Sequence, residues 1–449
     1  MRQKLLNEGA KELSYEIREI VKKADQLRKL GINIFWENIG DPIQKNAEVP
    51  AWMKEIIANL VMDNKTYSYC HSKGILATRE FLADINNKRE GAKVSAEDIL
   101  FFNGTGDAIA KIYQYLNFTA RVIGPSPAYS THSSAEAAHA HQEPLTYKLD
   151  PNNHWYPDID DLYKKIKYNP NVVGILIINP DNPTGMVYPL DSLKKIVQIA
   201  REFKLMLISD EIYMNITYNG ARAYSLAEVI EDVPGIAIKG ISKEFPWPGS
   251  RCGWMEFYNR DKDHQFHKLC SAMENAKMLE VCSTTLPQLS IPKIMGDPRY
   301  IPYREDANKK IGNRSKLIAD ILGSIPELKF NETYGAFYNT IIFKDGVLKN
   351  GQTLPIENPE AKQLVEHWTK DENMNKDKRF VYYLLASTGI CVVPISSFCS
   401  ELQGFRVTLL EENEEVLRSV FTRLRNAIIE YIHSSPMITG EKELKLAKI

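Results

Sequence analysis

The 449-residue sequence has no cysteine pair at CxxC spacing, no strong net charge and no long uncharged apolar run. Its six cysteines are scattered and lack histidines at zinc-finger spacing, which predicts free thiols in a reducing compartment and no metal site. The formal net charge is -1, so charge gives no reason to expect nucleic acid or an anionic membrane as a partner. Charges interrupt the N-terminal segment, which supplies neither a signal peptide nor a membrane span. We therefore expect a cytoplasmic protein.

Short apolar runs alternate with segments of helical periodicity over the larger part of the chain. The runs lie at 99–102, 121–124, 172–178, 205–209 and 236–240. The helical segments lie at 14–29, 51–62, 106–117, 190–203 and 301–324, with another starting near 75. Unbroken apolar runs of this length are typical of strands covered on both faces. We therefore predict an α/β fold with a mostly parallel central sheet wrapped by helices.

The pattern of apolar and polar residues changes after about residue 330. The tracts YGAFYNTIIF, ICVVP and FRVTLL read as strands before a final helix at 412–432, and the last ten residues read as a frayed tail. The polar stretch 345–376 reads as a surface insertion. We predict an N-terminal segment, 1–50, that packs with a small domain, a large domain, 51–330, and a C-terminal small α+β domain, 331–449.

Candidate site residues follow the apolar runs, because ligands of parallel α/β sheets bind beyond the carboxyl ends of the strands. The turn Gly104-Thr105-Gly106 follows the run at 99–102 and opens a helix. Backbone N–H groups of such a turn suit an anion, although any tight strand-to-helix turn also requires glycine.

Three charged residues follow two later runs. Asp210 comes directly after LMLIS, where a buried carboxylate needs a cationic partner or a strong donor, unless it only caps a helix. Lys243 follows IAIKG, where a desolvated amine is a nucleophile toward carbonyl carbon, unless its stem reaches solvent. Arg251 stays charged, and its planar fork suits phosphate.

The tracts IINPDNPTGMVY, DEIY and SKEFPWPGSRCGW together resemble the fold-type-I aminotransferases of class I/II, which use pyridoxal 5′-phosphate (PLP). The resemblance covers about residues 14–432. The motifs are most similar to those of the alanine aminotransferase branch, and aspartate aminotransferases share almost all of them. It implies amino acid and 2-oxo acid substrates and a homodimer with shared active sites.

The resemblance also implies a role for each matching residue. Lys243 would be the Schiff-base lysine and proton shuttle, and Asp210 the acid that keeps the pyridine nitrogen protonated. Tyr213 and Asn182 would bind the phenolic oxygen of the cofactor. The other expected cofactor contacts are Gly104, Thr105, Gly106 and Arg251 at the phosphate, Tyr129 stacked on the ring, and Tyr69 reaching a phosphate across the dimer interface. Relatives often have a phosphate-binding serine where this chain has Gly240, and Ser242 is the expected substitute.

Substrate contacts follow from the same resemblance. Arg406 would grip the α-carboxylate, the main chain at Gly40 would close over it, and Asn182 is expected to contact the substrate as well as the cofactor. A second carboxylate on the substrate needs a second cation. Arg18, beside Tyr15, is a candidate for it, although a solvent-exposed charge on a helix is at least as good an interpretation of Arg18. His132 and Tyr338 read as core residues or as further substrate contacts.

The expected reaction moves an amino group from a small L-amino acid, alanine or aspartate, to a 2-oxo acid such as 2-oxoglutarate. It would pass through a lysine aldimine, a quinonoid and pyridoxamine phosphate. The alternative is a PLP-dependent lyase of the same fold, because fold and cofactor do not set the outcome. A non-catalytic PLP-binding regulator is disfavoured, since no helix-turn-helix segment precedes the first core helix and the net charge is near zero.

Overall fold

A computed structural model describes residues 5–13 and 16–434 of the chain, except for the side chains of residues 16 and 17. The α-helices are α1 (Glu16–Lys29), α2 (Ala51–Val61), α3 (Leu76–Asn87), α4 (Thr105–Tyr115), α5 (Ser130–Ala140), α6 (Ile159–Lys167), α7 (Leu190–Phe203), α8 (Leu226–Val229), α9 (His264–Leu279), α10 (Thr285–Met295), α11 (Tyr300–Leu322), α12 (Pro359–Trp368), α13 (Lys376–Thr388) and α14 (Glu414–His433). Tyr15 and the expected tail, 440–449, lie outside the described residues.

The strands follow the predicted apolar runs and add several that were not predicted. They are β1 (Phe35–Trp36), β2 (Ile99–Phe102), β3 (Arg121–Ser126), β4 (Thr146–Asp150), β5 (Tyr156–Pro157), β6 (Val172–Ile178), β7 (Met206–Asp210), β8 (Gly235–Gly240), β9 (Gly253–Tyr258), β10 (Leu328–Lys329), β11 (Tyr338–Phe343), β12 (Ile390–Cys391), β13 (Val393–Pro394) and β14 (Gly404–Thr408).

The chain divides into two compact units. The first comprises Met1–Ser14, Asp41–Gly312 and Tyr334–Phe337, and the second comprises Tyr15–Gly40, Asn313–Thr333 and Tyr338–Ile449. The domain boundaries expected from the sequence, at 50/51 and 330/331, stay a prediction. No helix among the residues that the structure describes has the length and apolar character to cross a membrane.

The first unit is built on an eight-stranded sheet in the order β2-β9-β8-β7-β6-β3-β4-β5. The ladder from β8 through β7, β6 and β3 to β4 is parallel, whereas β9 runs antiparallel to both of its neighbours. Apolar side chains of the central strands, among them Ile178, Ile208 and Ile238, are buried in the core. The predicted mostly parallel sheet of an α/β fold is confirmed.

Strand register brings the candidate residues to one edge of this sheet. Ile178 at the end of β6 is paired with Asp210 at the end of β7, and Asp210 is paired with Ile238 near the end of β8. On the far side of β8, Phe102 at the end of β2 is opposite Gly253 at the start of β9. The chain segments after β2, β6, β7 and β8 therefore leave the sheet beside one another.

The second unit contains a four-stranded antiparallel sheet in the order β10-β11-β14-β13, and β1 pairs with β12 in a separate parallel ribbon. Phe380 packs against Phe343, Phe405 and Tyr431 at ring distances of 5.0, 5.6 and 5.1 Å. The stretch 345–376 is more than the expected polar surface insertion, because it contains α12 with Val365 buried.

Candidate active site

The turn between β2 and α4 is shaped by glycine and faces an arginine. Gly104 has a φ of 90°, and a Cβ added there would clash with the guanidinium of Arg251. A Cβ added to Gly253 would lie 2.9 Å from the backbone nitrogen of Thr105. Gly106 lies within the first turn of α4, where the backbone N–H groups have no partner inside the helix. Helix N–H groups and a cation thus meet at one place, which suits an anion such as phosphate.

Asp210 is buried and has a histidine as its partner. Its Oδ2 lies 2.9 Å from Nε2 of His132, and its Oδ1 accepts a hydrogen bond from the backbone of Ile212 at 3.1 Å. His132 is on α5, which begins directly after Tyr129, and the Tyr129 ring lies edge-on to the imidazole at 6.4 Å. The buried carboxylate therefore has the strong donor that its position requires.

Lys243 and Tyr213 lie against one aromatic ring. The ring of Phe337 is 5.6 Å from Nζ of Lys243 and packs edge-on with the ring of Tyr213 at 5.3 Å. Tyr213 is buried and Lys243 is half-buried. The amine and the phenol thus share one apolar neighbour within the first unit.

The loop after β6 buries its polar side chains, Asn179, Asp181, Asn182 and Thr184. Asn182 is buried, and Asp181 Oδ2 accepts hydrogen bonds from the backbone N–H and the hydroxyl of Thr184 at 3.0 and 2.5 Å. Burial raises the pKa of Asp181 to about 7, and the charge of Asp210 adds to the rise, while the hydrogen bonds from Thr184 and Tyr188 oppose it.

The end of β8 explains the glycine that departs from the family pattern. A Cβ at Gly240 would lie 3.0 Å from the carbonyl oxygen of Cys252 and 3.1 Å from Cδ1 of Ile212, which leaves little room for a serine. Ser242, the expected substitute, is buried two residues further on.

Tyr69 is exposed, with 82% of its surface accessible. Its segment is tied to the start of α10, because Thr285 Oγ1 donates to the carbonyl oxygen of Ser68 at 2.9 Å. Other large apolar side chains are exposed shortly before Tyr69, at Met62 and Tyr67, and between the end of α9 and the start of α10, at Met278, Leu279 and Val281.

Three of the candidate substrate residues, Arg406, Gly40 and Arg18, belong to the second unit. The guanidinium of Arg406, on β14, is buried, donates to the carbonyl oxygen of Asn38 at 2.5 Å and lies 4.5 Å above the ring of Tyr338. A Cβ added to Gly40 would clash with the hydroxyl of that same tyrosine. Arg406 and Gly40 are thus joined through Tyr338, whereas Arg18 is exposed on α1.

Comparison with known proteins decides the family. The sequence profile of the family described as aminotransferase class I and II matches residues 35–424. This chain belongs to the class I and II aminotransferases.

Individual relatives agree with this assignment. An aminotransferase of Methanocaldococcus jannaschii is 55% identical over 432 residues, which are 96% of this chain and 100% of the relative. The glutamate-pyruvate aminotransferase AlaA of Escherichia coli is 30% identical over 327 residues, which are 72% of this chain and 79% of the relative. The solved structure of an alanine aminotransferase from Pyrococcus furiosus has a TM-score of 0.81 at 27% identity, covering 95% of this chain and 100% of that one.

The cofactor of this aminotransferase is PLP, as its family and its structural neighbours imply. The first unit fits PLP in three respects. The space that a Cβ on Gly104 would fill adjoins a guanidinium and a helix start, which suit a phosphate. The buried carboxylate of Asp210 suits a protonated ring nitrogen, and the amine of Lys243 suits an aldehyde.

The sequence did not predict the contacts of two residues at the candidate site of this aminotransferase, His132 and Phe337. His132 was read as a core residue or a substrate contact; it is buried, and its Nε2 lies 2.9 Å from Oδ2 of Asp210, a partner that was not predicted. Its signal was present, since it lies three residues after Tyr129 at the carboxyl edge of the parallel sheet. Phe337 was not considered, because it comes from a segment far along the chain and its contact with Lys243 is visible only in the folded protein.

Proposed function

We propose that this aminotransferase moves the amino group of a small L-amino acid, alanine or aspartate, to a 2-oxo acid such as 2-oxoglutarate. The observation that carries the proposal is the 30% identity, over 72% of this chain, to a glutamate-pyruvate aminotransferase. The structural likeness to an alanine aminotransferase supports the same substrate class. Alanine and pyruvate need only one cation, for the α-carboxylate, whereas 2-oxoglutarate brings a distal carboxylate that calls for a second.

The cofactor supplies an electron sink for the charge left on the substrate Cα. We propose that Asp210, backed by His132 at 2.9 Å, keeps the proton on the pyridine nitrogen of the cofactor. An ionised carboxylate in a buried site favours the protonated form of a neighbouring base. The histidine orients the carboxylate and satisfies the oxygen that the ring does not use.

We assign Lys243 to the covalent attachment of the cofactor and to proton transfer at the substrate Cα. The amine is half-buried, and its Nζ lies 5.6 Å from the ring of Phe337, so its position is set by packing within the first unit. Tyr213 and Asn182 would donate hydrogen bonds to the phenolic oxygen of the cofactor, and both are buried, so water does not compete for them.

The remaining residues of the first unit hold the cofactor in our proposal. Gly104, Thr105 and Gly106 present backbone N–H groups to the phosphate, and Arg251 supplies the matching cation. Ser242 adds a hydroxyl, and Tyr129 stacks on the ring.

Arg406 is proposed to pair with the α-carboxylate of the substrate, with the main chain at Gly40 beside it. The guanidinium is already ordered by Asn38 and Tyr338, so little rotamer freedom is lost on binding. Arg18 is the candidate cation for the distal carboxylate of aspartate. The same cation would serve the distal carboxylate of 2-oxoglutarate, and its exposure on α1 makes it a weaker ligand than a buried cation.

A homodimer with shared active sites completes the proposal. The exposed apolar residues around Tyr69 form a surface that a second copy would cover, and Tyr69 of one subunit would then reach the phosphate held by the other. Light scattering of the purified protein should give twice the 51.3 kDa mass of one chain.

The direct test is a panel of amino donors offered to the purified protein with 2-oxoglutarate. We expect alanine or aspartate to have a kcat/KM clearly above those of the aromatic and branched-chain donors. A flat panel would contradict the substrate proposal. Release of ammonia from L-serine without any 2-oxo acid acceptor would instead indicate the lyase alternative.

A further inference from the structure

A lysine on α9 is completely buried although no assigned role requires it. Lys277 has a relative exposure of 0%, and its Nζ lies 2.6 Å from Oε2 of Glu280 and 3.7 Å from Oδ2 of Asp107. The ammonium also lies 5.3 Å from the ring of Phe102, the last residue of β2. A buried ammonium is expensive unless it is paired, so its partners indicate what it is for.

The partner Asp107 is part of the turn between β2 and α4. Its Oδ2, the oxygen nearest to Lys277, accepts a hydrogen bond from the backbone N–H of Asn103 at 3.0 Å. Asn103 in turn accepts, through its side-chain oxygen, a hydrogen bond from the backbone of Thr284 at 3.3 Å. The carboxylate of Asp107 therefore fixes Asn103, the residue before Gly104, and places a negative charge in the first turn of α4.

That charge conflicts with an anion bound at the same turn. A carboxylate and a phosphate dianion repel each other, and the repulsion is strong where water is excluded. Glu280, the other partner of Lys277, has a second cation of its own, because Lys111 Nζ lies 2.5 Å from Oε1 of Glu280. Burial alone would raise the pKa of Glu280, but the hydrogen bonds from Lys111 and Lys277 hold it below its ordinary value, so this carboxylate stays ionised.

We propose that Lys277 is a positioning residue for the cofactor phosphate: its ammonium neutralises Asp107, so that Asp107 can fix the turn at Gly104–Gly106 without repelling the phosphate. This inference rests on the proposed assignment of that turn and of Arg251 to the phosphate. The chain Lys111–Glu280–Lys277–Asp107 has two charges of each sign, and the turn is thus left free to accept the negative charge of the ligand.

The test measures the affinity of the cofactor-free, full-length protein for PLP and for pyridoxal, which lacks the phosphate, by quenching of tryptophan fluorescence. The variants are Lys277→Met, the double variant Lys277→Met/Asp107→Asn, and Lys268→Met as a matched control, because Lys268 is an exposed lysine on the same helix. Asparagine at 107 keeps an acceptor for Asn103 and removes the charge.

We expect Lys277→Met to weaken PLP binding by on the order of tenfold or more while pyridoxal binding stays nearly constant. The double variant should regain the PLP-to-pyridoxal ratio of the parent protein, and Lys268→Met should not change it. An equal loss of both affinities, or an unchanged ratio in Lys277→Met, would overturn the inference. Should Lys277→Met not fold, the double variant decides: a folded protein with the parent ratio supports the inference, and an unfolded one, or a lowered ratio, overturns it.

An Arg251→Gln variant separates this inference from the proposed site. If Arg251→Gln lowers the PLP-to-pyridoxal ratio and Lys277→Met does not, only the role of Lys277 is wrong. If Arg251→Gln leaves the ratio unchanged, the phosphate is bound elsewhere and the assignment of the turn is wrong as well.

Discussion

Replacement of Asp181 by asparagine should change how the stability of this aminotransferase depends on pH. Burial raises the pKa of this carboxyl from its ordinary 3.8 to about 7. Between about pH 4 and pH 7 the folded protein therefore holds a proton that the unfolded chain has released, and stability falls as the pH rises. The difference between the two pKa values corresponds to about 4 kcal/mol, fully lost above pH 7. Asparagine does not ionise and has no such loss.

The assay is the melting temperature of the parent protein and of Asp181→Asn at several pH values from 4 to 8.5. We expect the difference, variant minus parent, to increase between about pH 4 and 7 by on the order of 4 °C and then to stay level. The absolute difference also contains the altered hydrogen bonds to Thr184, so the slope is the diagnostic quantity. Asp84→Asn, at an exposed aspartate on α3, is the control and should show no such slope. A difference that is constant with pH, or that decreases, would refute the reasoning.

Two further variants test the proposed roles at the site. Asp210→Asn should keep the fold and bind PLP, but its kcat should fall roughly 10²–10⁴-fold, because asparagine does not hold the proton on the ring nitrogen. A decrease in kcat of less than fivefold in steady-state kinetics would remove Asp210 from that role. Arg406→Gln should raise the KM for the amino donor by on the order of 30-fold or more, because the α-carboxylate loses its charged partner. Its affinity for PLP should stay unchanged in a fluorescence titration, and a parallel loss of both would contradict the assignment.

The central strands and their ends could be predicted because their apolar runs are unbroken. The bounds of β6 match the predicted run, and those of β7 and β8 differ by one residue. Asp210 is the last residue of β7, and Asn182 and Lys243 follow β6 and β8. The antiparallel strand β9 was missed because Glu256 interrupts its apolar pattern. Glu256 is nevertheless buried, since Lys239 Nζ, Trp254 Nε1 and the hydroxyl of Tyr258 all donate to its carboxylate.

Contacts between distant residues could not be predicted in the same way. His132 and Asp210 are 78 residues apart, and no spacing rule joins them. Lys277 reads in sequence as a helix charge, and such charges normally face solvent. Only the folded chain shows its carboxylate partners. The helix within 345–376 was missed because its buried positions, Ala361 and Val365, are few among many polar residues.

The central claim is that the cofactor is attached to Lys243. Reduction of the holoenzyme with borohydride followed by peptide mapping would test it, because reduction makes the lysine–cofactor bond permanent. We expect the added mass on the peptide that contains Lys243, and no labelled peptide from Lys243→Ala. Labelling of another lysine, such as Lys239, or persistent labelling of Lys243→Ala, would contradict the account.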